Sequence, residues 1–184
     1  MKRRSFLKTA AAFVPVAGLQ DFALAHAPAD GPSGQIHVVG AGRDRFGESH
    51  SRGFSNILFK VATRDSGGNL FVIEHANLVR GGPPLHLHFH QDEWFYVIEG
   101  EVLFQVGENR KRLVAGESVL GPRNVPHAFI SVGQKPGRML IAFTPAGRME
   151  QFFRDTAIPH PPLQDDAFFR RYEMELLGPS PFEK

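Results

Sequence analysis

The sequence contains no cysteine. That absence excludes disulfides, thiolate zinc sites, iron–sulfur clusters and a cysteine nucleophile together. It also suits a chain bound for an oxidising compartment that does without covalent staples. Aromatic side chains that need a hydrogen-bond partner are scarce, with two Tyr and one Trp against 17 Phe. An interior filled by phenyl rings asks for few polar partners. The apolar run near the start, Thr9–Leu19, is too short to span a bilayer, so no membrane span is expected in the mature form. An excess of one charge sign is missing as well. Four of the 21 Lys+Arg and one of the 19 Asp+Glu lie in residues 1–25, so the remainder carries 17 against 18, a net of −1. Nothing in that balance argues for nucleic acid or an anionic membrane as partner.

What is abundant points to strands and turns. The 184 residues suffice for one domain with a real core. Nineteen Gly and 14 Pro indicate many turns and favour an all-β plan.

Residues 1–25 read as an export signal: a basic MKRRSFLK, the short apolar run, then Ala23-Leu24-Ala25 as a small-x-small cleavage site. Arg3-Arg4 followed by Ser5-Phe6-Leu7-Lys8 resembles the twin-arginine signal, which implies export of a folded protein to the periplasm or beyond. Residues 26–35 read as a flexible, Pro/Gly-rich lead-in, residues 36–145 as the main β domain, and residues 146–184 as a C-terminal helical extension. Ile36–Val39 reads as a short strand and residues 40–55 as a loop in which His50 and Arg52 are within reach of a ligand but read better as surface residues. Asn56–Thr63 and Leu70–Val79 read as strands joined by a turn at Asp65-Ser66-Gly67-Gly68. His75 is a structural, hydrogen-bonded residue on this reading. Gly147–Asp155 and Asp165–Leu176 have helix-like spacing anchored by Phe152, Phe153, Phe168 and Phe169, with Gly178-Pro179 as the stop. These helices are expected to cover the outside of the sheet.

The chemistry concentrates in Gly81–Gly100, GGPPLHLHFHQDEWFYVIEG. His86, His88 and His90 fall at alternate positions, which on a strand share one face. Imidazoles gathered in one buried space need something to occupy their lone pairs. Glu93 follows His88 at an odd offset, so Phe89–Asp92 is read as a turn that lets Glu93 face back toward the histidines. Glu93, Phe95 and Val97 then share the inner face of the next strand, and Trp94 packs outward against a second layer. Gly116–Ser131, GESVLGPRNVPHAFIS, delivers His127 at a strand start. Three histidines and a carboxylate suit a redox-active or Lewis-acid divalent metal with open positions; Mn, Fe, Ni, Co, Cu and Zn all accept this set. His90 reads equally as a group beside the cavity mouth or an exposed turn residue. Phe95, Phe104 and Phe129 are candidates for an apolar substrate wall, and are equally what any barrel core contains.

These two stretches resemble the cupin superfamily. In its first motif a Gly leads to H-x-H, then Glu, then Gly, matched here by Gly81, His86, His88, Glu93 and Gly100. In its second a Gly leads to Pro-x-Gly, His and Asn; here Gly116, Pro122, Asn124 in place of Gly, His127 and Ser131 in place of Asn. Asn tolerates the left-handed backbone that a Gly position often requires. The resemblance implies a small antiparallel β-barrel of jelly-roll type with C-terminal helices packed outside, a metal held by His86, His88, Glu93 and His127, and a homodimer formed through the outer sheet. GGPPLHLHFHQDEWFYVIEGE with PRNVPHAF and FTPAGRMEQFF further resembles the single-domain bacterial cupins related to quercetinase, the flavonol 2,4-dioxygenase. That implies a metal-dependent dioxygenase acting with dioxygen on a small aromatic or enol, flavonol-like substrate, with Glu93 as both ligand and base. A non-catalytic periplasmic metal- or small-molecule-binding cupin would show the same ligands. Isomerase or hydrolase chemistry on a sugar-like substrate would want a more polar cavity.

Overall fold

The computed structural model describes residues 36–48 and 50–182. The expected export signal (1–25) and lead-in (26–35) lie outside the described residues. Eleven strands and two helices follow in order: β1 His50–Ser51, β2 Asn56–Val61, β3 Phe71–Leu78, β4 Leu85–His88, β5 Asp92–Glu99, β6 Glu101–Val106, β7 Asn109–Val114, β8 Ser118–Gly121, β9 His127–Ser131, β10 Gly137–Thr144, α1 Met149–Thr156, α2 Asp166–Arg171 and β11 Met174–Gly178. All strand pairs are antiparallel, in two sheets ordered β1-β2-β3-β10-β5-β8 and β11-β4-β9-β6-β7. This is the all-β jelly-roll plan expected from the sequence.

Alternation explains the layering. In β5, Glu93, Phe95 and Val97 are buried while Asp92, Trp94 and Tyr96 face away, the period of a half-buried strand. Phe95 of β5 meets Phe104 of β6 and Phe129 of β9 at centroid distances of 5.0 and 6.0 Å, so aromatic edges and faces join the two sheets across the core. Trp94 has no second layer over it among the described residues; it is 38% exposed and stacks on Tyr96. The outer faces are instead held by charge. Glu74 of β3 is buried beneath Lys60 (3.0 Å) and Arg138 (2.7 Å).

The ends of the barrel domain depart from expectation. Ile36–Val39 forms no strand and is largely exposed. His50 instead opens β1, stacked on Phe59 at 4.5 Å. A short 3₁₀ segment, Thr63–Ser66, leads into the expected turn at 65–68 and overlaps its first half.

The C-terminal segment is only partly helical. α1 matches its expectation closely, and Asp165 caps α2 by accepting a hydrogen bond from the Phe168 amide at 2.8 Å. The second helix stops at Arg171, well before Gly178. Glu173 takes φ of 62° and redirects the chain into β11, which pairs with β4. β4 would otherwise be an edge with unpaired backbone groups, and that demand outweighs the helical spacing of Phe168, Phe169 and Leu176. The helices also do more than shield the sheet. Phe152, Phe153, Phe168 and Phe169 are buried in the same core cluster as the strands.

Candidate metal centre

β4 ends at His88, where its carbonyl accepts the Asn124 amide at 2.7 Å, and the Phe89 amide then donates to Glu173 O at 2.9 Å. The chain turns there and β5 begins at Asp92 in the other sheet. His86 and His88 therefore come from one sheet and Glu93 from the facing one. His127 opens β9 and pairs in register with His86. Asn124 holds φ of 61° just before it, the left-handed turn that its substitution for Gly implied. The salt bridge from Arg123 to Asp92 at 2.8 Å ties this turn to the start of β5.

All four side chains are buried, and one ligand atom from each lies within 4.8 Å of the others. Donors around one ion at about 2.1 Å lie about 3–4 Å apart, so these four side chains are close enough to converge on a single ion after a small inward adjustment. The tautomers suit this. His86 Nδ1 donates to Pro84 O at 2.9 Å and His127 Nδ1 to Val125 O at 3.0 Å, which turns both Nε2 atoms inward. Burial, then the neighbouring imidazoles, push the His86 pKa down to about 3, so its lone pair is free at neutral pH.

His88 is fully buried, and neither of its ring nitrogens has a hydrogen-bond partner in good geometry, although Nε2 lies 3.1 Å from Glu93 Oε2. An orphaned buried imidazole is costly, and a cation is what it lacks. Glu93 Oε2 also approaches His127 Nε2 at 2.8 Å. Burial alone would raise the Glu93 pKa; the hydrogen bond and charge of His127, with the His88 ring close by, outweigh it and hold the carboxyl well below its usual range. Burial likewise opposes a charged His127, yet the bond and charge of Glu93 outweigh it and raise that pKa. The donor set thus fits a divalent cation in chemistry and spacing.

The group opens onto a narrow cavity of about 40 Å³. Phe129 lines it, while Phe95 and Phe104 do not and serve as core. His90 is exposed beyond the end of β4, because the strand whose alternation would have aimed it inward has already stopped. Two further lining residues are Arg52, read from the sequence as a surface residue within reach of a ligand, and His75, read as structural. His75 is structural as expected, with Ser55 Oγ 2.7 Å from its Nδ1, but it also faces the cavity. Phe152, Phe153 and Phe169 from the C-terminal segment complete the wall. The doubled phenylalanines were the visible signal for them; their destination depends on where β11 docks. A second acidic group, Asp44, Glu48 and His50, lies apart. Asp44 is occupied by the amides of Phe46 and Phe59, and Glu48 by His50 and Arg154, so it reads as structural.

Comparison with known proteins agrees with the fold. Residues 78–143 match the Cupin domain family. No curated protein matches the chain. An RmlC-like cupin from Shewanella frigidimarina is 22% identical, with 64% of this chain and 96% of that one covered and a TM-score of 0.52. An oxalate decarboxylase variant from Bacillus subtilis is 18% identical over 58% of this chain and 29% of its own, with a TM-score of 0.49. KdgF from Halomonas sp. is 16% identical over 50% and 79%, with a TM-score of 0.45. The two-sheet barrel gathers His and Glu donors between its sheets. Together with the domain match it supports the cupin superfamily for this chain.

Proposed function

We propose that the chain is an exported, mononuclear metal-dependent dioxygenase of the quercetinase-like cupin type, acting on a small aromatic or enol substrate. The observation that carries this reading is a buried three-histidine, one-carboxylate group at a phenylalanine-walled cavity. His86, His88, Glu93 and His127 would hold the ion, which when bound supplies Lewis-acid and redox chemistry at open coordination positions. The chain's own residues do the rest. The rings of Phe129, Phe152 and Phe169 exclude water and flank a planar substrate. His86 and His127 are locked by their backbone acceptors, so their Nε2 atoms need no reorganisation. Glu93 is the one carboxylate among the described residues lining the cavity, and takes the substrate's hydroxyl proton at Oε2 once that oxygen turns from His127.

One observation favours a second reading, a non-catalytic metal- or small-molecule-binding cupin. A carboxyl held well below its usual range is a weak base. Oxygen uptake separates the two. Metal-replete protein with quercetin or a simpler enol consumes oxygen on the first reading, and a Glu93→Ala variant does not. No uptake with any enol and any divalent metal leaves the binding reading.

Twin-arginine export and a homodimer belong to the same proposal. Trp94 and Leu120 are cross-strand neighbours, 38% and 49% exposed, and are the apolar surface that a second copy would cover. Fractionation of expressing cells and sedimentation of the mature protein test these points.

A further inference from the structure

Arg52 lines the cavity yet faces no carboxylate within salt-bridge distance among the described residues. The contrast with other partly buried guanidinium groups is direct. Arg45 pairs with Asp65, and Arg154 with Glu48 and Glu150. Arg52 has only neutral partners: Nη1 donates to Thr156 Oγ1 at 2.6 Å and Nη2 to Gln164 Oε1 at 3.2 Å. Its carbon end lies 5.2 and 5.7 Å from the ring centroids of Phe152 and Phe153. A guanidinium has five N–H donors in a fork that matches a carboxylate, and two neutral acceptors leave most of that fork unused. Burial pushes its pKa down to about 10, the sign of a cation that has lost solvent without gaining a counter-ion, though still charged at neutral pH. His75, in the same lining, adds a neutral imidazole beside it. A divalent ion on Glu93 and three neutral imidazoles would leave the cavity more positive still.

We infer that Arg52 is a substrate-anchoring residue and that the ligand is a small aryl carboxylate, its carboxylate on the guanidinium and its ring among Phe129, Phe152 and Phe153. This deepens, and rests on, the reading of the cavity as a substrate site. It assigns the substrate a negative charge that the apolar walls do not suggest.

The test uses protein freed of metal by a chelator, with benzoate and its neutral counterpart benzamide as probes in titration calorimetry. Benzoate binds about tenfold or more tightly than benzamide. Arg52→Gln removes that preference by weakening benzoate and leaving benzamide within about twofold, and Arg52→Lys keeps part of it. Thr156→Ala breaks the 2.6 Å contact to the helix but keeps the guanidinium, and leaves benzoate affinity within about threefold. Undetectable benzoate binding, or equal binding of the two probes to the unaltered protein, overturns the inference without any variant. A Thr156→Ala loss as large as that of Arg52→Gln also overturns it, because Arg52 would then act only by holding the wall. Because the assay contains no metal and reads binding rather than oxygen uptake, its outcome is independent of whether the dioxygenase reading survives.

Discussion

Glu93 Oε2 and His127 Nε2 lie 2.8 Å apart, and the other ring nitrogen of His127 is already committed. His127 spends its Nδ1 proton on Val125 O, so its inward nitrogen would be a bare lone pair facing an anionic oxygen. Two acceptors do not sit at that distance without a cation between them. In the metal-free chain that cation is a proton, which accounts for the raised His127 and lowered Glu93 pKa. A metal would take its place.

Metal uptake therefore releases about one proton at neutral pH and weakens as the pH falls, because protons compete for His127 and Glu93. Calorimetry in two buffers of different ionisation enthalpy measures the number released. The metal-free protein should show the complementary trend. His127 has a raised folded pKa, so its bond to Glu93 stabilises the fold fully below the unfolded value. That contribution fades as the pH rises through the folded pKa.

His88 separates metal from structure. Its nitrogens are buried without good hydrogen bonds, so His88→Leu leaves metal-free stability unchanged or raises it by about 1 kcal/mol. The same variant loses the stabilisation a metal confers, about 4 kcal/mol at a thousandfold excess over Kd. Thermal melts with and without chelator read both effects.

Gly82 marks the tightest backbone approach near the site. A Cβ there would stand 1.8 Å from Phe129 O, which is backbone in β9 and cannot step aside. Gly82→Ala displaces the strand that carries His127 and Phe129. It destabilises the fold by about 3 kcal/mol, and urea unfolding measures the loss.

Glu74 gives the acid limb of the stability curve. Burial works to raise its pKa, but the hydrogen bonds and charges of Lys60 and Arg138 outweigh it and lower the value. A depressed folded pKa contributes stability that is present above the unfolded carboxyl value and lost as the pH falls through the folded one. Glu74→Gln removes this dependence and, after allowance for solvent screening, costs about 1–2 kcal/mol at pH 7. Unfolding midpoints of both proteins between pH 7 and pH 3 measure the difference.

β5, β6 and β10 were legible in the sequence because buried and open positions alternate along them, and the other strands between β2 and β9 because turn residues bound them. The four candidate ligands were legible because parity and spacing constrain them before any folding is known. His90 shows the limit of parity, which holds only while a strand continues; β4 stops at His88. β11 and Arg52 show a second limit. The end of α2 is decided by the unpaired edge of β4, and the setting of Arg52 by α1 and the following loop, about a hundred residues away. Neither partner can be read locally.

The most direct measurement is titration of chelator-stripped protein with Co(II), followed by its visible spectrum and by calorimetry. The account predicts one equivalent bound in the unaltered chain and none in His88→Leu or His127→Ala. No uptake by the unaltered chain, or uptake undiminished when those histidines are replaced, would contradict it.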